Sequence, residues 1–192
     1  SNATGVGDFT ISIDVTKTSS FTLTGPGDKT PQPGLTDDYT FTIVNNGNFE
    51  DTFDIAASSL NDWIHASSDP SVIVPHISSG TNEGTFEIVM DVPHVAAGTT
   101  DSWTVVVTAG HNDTQTDGDS GTTTVDVVST HTVTIADASS SADPGATATY
   151  YFTITNTGNA DESFTYTTNG NPGSDSPTES LGMGESETIA VS

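Results

Sequence analysis

Residues 33–55 read PGLTDDYTFTIVNNGNFEDTFDI and residues 144–166 read PGATATYYFTITNTGNADESFTY, a gapless match at an offset of 111 with eleven of 23 positions identical. The shared positions include Pro-Gly, Tyr39/Tyr150, Phe41/Phe152, Ile43/Ile154, the Asn-x-Gly-Asn and the closing Phe53/Phe164. A repeat of this length means one folded unit built twice. Within each copy large apolar residues alternate with Thr, the period of a strand with one buried face.

The rest of the chain continues in the same period. TFDIAAS, TFEIVMDV, WTVVVTA from Trp103 and TTTVDVV ending at Val128 add strands to the first copy, and HTVTIAD opens the second. Pro, Gly, Asn, Asp and Ser interrupt these runs every 8–12 residues or so, and no stretch carries helical periodicity with caps. The expected fold is all-β: tandem Ig-like, seven-stranded Greek-key sandwiches, the second truncated. Ser1-Asn2-Ala3 reads as the scar of an expression tag. The first unit is expected over residues 4–129 and the second over 130–192, with the boundary at Ser129-Thr130 and a linker short enough for a stiff array.

ESETIAVS near Ser192 corresponds to GTFEIVMDV of the first unit, so the second is expected to lack its last two strands. That leaves a sheet edge open to pairing with another chain, as strand addition or a dimer. FTISIDV (Phe9 to Val15) is read as a first strand of its own unit; its likeness to TTTVDVV, Asp14-Val15 on Asp126-Val127, leaves a preceding repeat's last strand as the alternative.

Charge limits the partners. The chain of 192 residues carries 26 acids and two bases, Lys17 and Lys29, for a net charge of −24. Nucleic acid and anionic membrane surfaces both require clustered Lys or Arg, so neither is expected. No apolar run reaches the roughly 18 residues of a membrane span. Acids scattered among Thr, Ser and Gly suit a surface kept soluble in salty water, or one that collects divalent cations. There is no cysteine, which removes thiol catalysis, disulfides and Cys-type zinc sites.

The run from PGLTDDYTFTIVNNGNFEDTFDI through SLNDWIHASSDPSVIVPHISSGTNEGTFEIVMDVPHVAAGTTDSWTVVVTAG resembles the Ig-like domain associated with alpha-galactosidases, and related repeats of archaeal and bacterial surface-layer and secreted proteins. The resemblance covers about Thr30 to Val128, and Asp143 to Val191 in truncated form. It departs at His76-Ile77-Ser78-Ser79-Gly80, where the family usually has Pro-Gly. It implies a seven-stranded sandwich, an extracellular or cell-surface setting and an accessory role without a shared catalytic residue.

Few residues propose chemistry. In HNDTQTDGDSG, Asp113, Gln115, Asp117 and Asp119, with Gly118, follow the spacing of a calcium loop, although Thr124 stands where a bidentate Glu belongs; a plain acidic hairpin tip is the alternative. Asn112-Asp113-Thr114 is a glycosylation sequon. The Asn-x-Gly-Asn stretches read as hairpin turns, with Glu50-Asp51 and Asp161-Glu162 on a solvated strand face. His65, His76, His94, His111 and His131 share no metal-ligand spacing, and no nucleophile elbow or phosphate loop occurs. Trp63 and Trp103 are core residues or a sugar-stacking platform. The expected function is a non-catalytic spacer, presenter or adhesion stalk, partnered by neighbouring Ig-like repeats and by surface glycans or proteins; a glycan-binding accessory module of a secreted enzyme is the alternative.

Overall fold

The computed structural model describes residues 10–136, 143–166 and 178–191. Twelve strands follow in chain order: β1 (Phe21–Thr24), β2 (Thr36–Asn45), β3 (Asp51–Ser59), β4 (Ser71–Val74), β5 (Glu83–Asp91), β6 (Thr100–Ala109), β7 (Asn112–Thr124), β8 (His131–Ile135), β9 (Tyr150–Asn156), β10 (Glu162–Thr165), β11 (Thr178–Leu181) and β12 (Ser186–Val191). No α-helix occurs among the described residues, and none of their helices is long and apolar enough to cross a membrane.

The first unit is a seven-stranded Ig-like sandwich. One sheet runs β1-β2-β5 and the other β4-β3-β6-β7, all paired antiparallel. The alternation read from the sequence supplies the core: Tyr39, Phe41 and Ile43 of β2 face Phe53 of β3, Phe86, Ile88 and Met90 of β5, and Trp103, Val105 and Val107 of β6. Phe41 stacks on Phe86 at 5.0 Å and meets Trp103 edge-on at 5.7 Å, the offset and tilted geometries that ring quadrupoles favour. The chain after β1 crosses between the sheets: Lys29 exchanges backbone hydrogen bonds with Thr122 and Thr124, in parallel with the end of β7.

The second unit repeats the first as far as it goes. β8 pairs with β9 as β1 with β2, β12 with β9 as β5 with β2, and β10 with β11 as β3 with β4. Both copies open β2 and β9 with the same Pro-Gly turn, Gly34 at φ 75° and Gly145 at φ 89°, a conformation glycine adopts without a Cβ clash. Counterparts of β6 and β7 are absent among the described residues, so the second core holds only Ile154, Leu181 and Ile189 as buried residues, and β10 pairs only with β11.

Three expectations change. Residues 10–15 form no strand (Phe9 lies outside the described residues), and Ile11, Ile13 and Val15 stand 69%, 82% and 68% exposed. The last strand of the first unit begins at Asn112 and ends at Thr124, displaced from the TTTVDVV run, because backbone pairing with β6 takes in Thr116 to Thr124 and, across a register shift, Asn112. The Asn-x-Gly-Asn turns are not hairpins: β2 and β3 lie in opposite sheets, so each turn carries the chain across the sandwich.

Candidate functional site

The most elaborate polar structure in the chain is built on the Asn-x-Gly-Asn turns, and each of its residues has a separate task. The first Asn is buried and closes the turn. Asn45 Oδ1 accepts from the Gly47 amide at 2.8 Å, while its Nδ2 donates to Phe49 O and, across the sandwich, to Val74 O, each at 3.0 Å. Asn156 does the same with Gly158, Ala160 and Leu181. The glycine is set by close approach. A Cβ at Gly47 would lie 2.6 Å from Thr18 O, and one at Gly158 2.4 Å from Val128 O.

The last Asn reaches outward and holds the chain that enters its unit. Asn159 Oδ1 accepts from the Val128 amide at 2.7 Å, its Nδ2 donates to Asp126 O at 2.8 Å, and its own amide donates to Val128 O at 3.1 Å. Two further bonds come from the β5–β6 connection of the first unit: Nδ2 donates to Val95 O at 3.2 Å, and the Ala97 amide donates to Asn159 O at 2.9 Å. Val95 itself packs on the first unit's core. Asn159 is 0% exposed, and five hydrogen bonds tie it to the other unit and the strand between them. A buried amide satisfied at both ends fixes geometry, because leaving any of its groups unpaired costs more than the bond is worth.

Asn48 makes the same clamp on the segment entering the first unit. Its Oδ1 accepts from the Thr18 amide at 2.9 Å, its Nδ2 donates to Thr16 O at 2.9 Å, and its amide donates to Thr18 O at 3.3 Å. The Asn46 amide donates to Ser20 O as the Thr157 amide does to Thr130 O. Lys17 of that segment lies 4.7 Å over the Phe49 ring, and Phe49 in turn meets His111 at 4.8 Å. Asn48 is exposed, and nothing equivalent to Val95 and Ala97 reaches it among the described residues.

The other predicted site residues separate. Asp113, Gln115, Asp117 and Asp119 lie on β7 rather than in a wrapped loop. Alternate residues of a strand are spaced by roughly 6.5 Å in a line, whereas a calcium loop folds its oxygens round one point. Asp117 spends one carboxylate oxygen on the Leu23 amide and the other on the Gly118 amide, and Asp119 accepts from the Ser120 amide. Among the described residues no three His, Cys, Asp or Glu side chains are grouped to hold a metal. Asp51 is not on a solvated face: it is buried and accepts from the Thr52 and His111 amides and from Ser19 Oγ. Trp63 and Trp103 are both buried in the first core, so neither offers a stacking face.

Lys29 sits 3.1 Å from Asp37 and 4.6 Å over the Tyr39 ring. Burial raises the Tyr39 phenol above its ordinary pKa; its 2.8 Å hydrogen bond with Thr123 pulls the other way, and Asp37, Asp101 and Asp28 add to the rise. Sequence reasoning missed the outward role of Asn48 and Asn159. The available signal was that the fourth motif position recurs as Asn in both copies, whereas closing the turn needs only the first Asn and the Gly.

No family model and no curated protein sequence matches the chain. Solved structures similar to it include the ASH/PapD-like domain 7 of human CEP192, at 9% identity over 65% of this chain and 96% of that one, TM-score 0.40. A chaperone–tip adhesin complex of CFA/I fimbriae matches at 10% identity over 88% and 84%, TM-score 0.37. A family 123 glycoside hydrolase from Clostridium perfringens matches at 8% over 55% of this chain and 27% of that one, TM-score 0.42. These likenesses concern the β-sandwich fold alone.

Proposed function

We propose that this chain is a non-catalytic Ig-like repeat module of a larger secreted or cell-surface protein, serving as a stiff spacer or stalk in a salt-rich setting. The observation that carries the reading is the Asn159 junction. A flexible linker needs no buried amide, whereas here two hydrogen bonds join Asn159 to the β5–β6 connection of the first unit and three more hold the connecting segment at Asp126 and Val128, which fixes the orientation of the two units. Such a junction turns a tandem pair into a rod segment that holds whatever lies at its end away from its anchor. The acidic surface, with 26 Asp and Glu against two Lys, supports a setting where salt screens its self-repulsion. The kinship with alpha-galactosidase-associated and surface-layer repeats belongs to the same proposal.

The glycan-binding alternative loses its stacking platform with both tryptophans in the core. Calcium bound by Asp113, Gln115, Asp117 and Asp119 together would require Asp117 and Asp119 to leave their pairing with β6, and the spacer reading does not depend on it. Small-angle scattering of the intact chain tests the spacer. One fixed elongated envelope, unchanged between low and molar NaCl, is expected, and an ensemble of freely varying inter-unit angles would overturn it.

A further inference from the structure

We propose that the Asn46-Gly47-Asn48 face of the first unit is a socket for another Ig-like unit of this repeat type, with residues 12–15 as the end of that unit's closing strand. The proposal deepens the spacer reading and rests on it.

Two independent observations converge on it. The first is the clamp. Asn48 holds Thr16 and Thr18 through the bonds by which Asn159 holds Asp126 and Val128, with distances agreeing within about 0.2 Å. At Asn159 the clamp is completed by Val95 O and the Ala97 amide of the unit in front, and the side chain is buried. At Asn48 those two partners are absent among the described residues, and the side chain faces solvent. A clamp that grips the entering strand in both copies but is completed in one has the shape of a half-filled junction.

The second observation is the apolar alternation of residues 11–15. The clamp sets Thr16 on Asp126, two residues away from the sequence match of Asp14-Val15 on Asp126-Val127, and counting back from there places Ile11, Ile13 and Val15 on Gly121, Thr123 and Val125. Thr123 and Val125 are buried at the end of β7, whereas Gly121 is packed so closely that a Cβ there would lie 2.4 Å from Trp103, so the register supports Ile13 and Val15 as inward residues. Ile13 and Val15 thus carry the inward period of a closing strand while standing two-thirds or more exposed. Exposed branched side chains at alternate positions favour burial on a sheet, and the register supplies the sheet. The occupant is thereby defined: a sandwich whose last strand ends in residues 12–15 and whose β5–β6 connection presents a carbonyl and an amide to Asn48.

The test inserts a copy of residues 16–121 immediately before Ser12 of the complete chain, so that Gly121 is kept against Trp103 and residues 12–15 take the place of 122–125 in the added unit. A control inserts residues 16–125 directly before Thr16, keeping the added unit's own strand. Amide exchange is read by NMR at Thr18. In both proteins the Thr18 amide is expected to exchange at least about tenfold more slowly than in the parent chain, and Asn48→Ala to remove that gain. If the control folds and the first insertion does not, the assignment of residues 12–15 to a closing strand is wrong. If both fold and Thr18 exchanges as in the parent, the socket is wrong. Neither result touches the spacer reading, which stands or falls on the scattering of the parent chain.

Discussion

Replacing Asn159 with Ala tests the junction most directly, because the structure fixes what is lost. The side chain accepts one hydrogen bond from the Val128 amide and donates two, to Asp126 O and Val95 O, from a fully buried position. At about 1 kcal/mol net for each bond, opening the junction becomes easier by about 3 kcal/mol. One factor of ten corresponds to about 1.4 kcal/mol, so the Val128 amide is expected to exchange roughly a hundredfold faster. Asn48→Ala removes the corresponding pair of side-chain bonds at an exposed position, where water replaces them, and Thr18 is expected to change by less than about threefold. Asn159→Asp sharpens the argument: it keeps the acceptor for Val128 but turns a carboxylate oxygen toward two carbonyls, so it is expected to loosen the junction more than Ala does. Proton exchange resolved by NMR reads all three variants on the intact chain. An Asn159→Ala protein whose Val128 amide exchanges within about threefold of the parent, or whose Asp variant is tighter than its Ala variant, would refute the reasoning.

Gly158→Ala forces a Cβ to within 2.4 Å of Val128 O and is expected to raise exchange at the junction without lowering the melting of the first core, whereas Gly47→Ala displaces residues 16–20 alone. Both tryptophans lie in the first core, and the second has three buried apolar residues among those described, so circular dichroism is expected to show a transition below the one followed by tryptophan fluorescence; coincident curves would contradict two separate cores. Because burial raises the Tyr39 pKa, the neutral phenol is favoured in the fold. Its contribution is full below the unfolded value of about 10 and is lost as pH rises through the higher folded value; Tyr39→Phe is expected to flatten that alkaline limb in melts taken across it. With ionic strength matched, calcium and NaCl are expected to raise the melting temperature equally after EDTA, since screening of the net charge of −24 is common to both; a calcium-specific rise would install a cation site at Asp113, Gln115, Asp117 and Asp119.

The sequence by itself determined that the chain is all-β, that one unit is built twice and which residues fill its core. Those properties are local or periodic: alternation decides which face of a strand is buried, and Tyr39, Phe41, Ile43, Phe86 and Ile88 are buried where the alternation puts them. Tertiary structure alone decided the rest. An acidic, Gly-bearing run reads locally as a loop, yet its part from Thr116 onward lies in β7 because β6 offers it an unbroken row of backbone partners from Thr108 to Thr100, and pairing outweighs the weak strand propensity of Asp and Gly. Asn45 and Asn48 are alike in one dimension, but one is turned into the sandwich to tie Val74 and the other outward to grip Thr16 and Thr18. Which of two identical side chains faces in and which faces out depends on where the crossing chain places each Cβ, and a sequence motif carries the atoms without that direction.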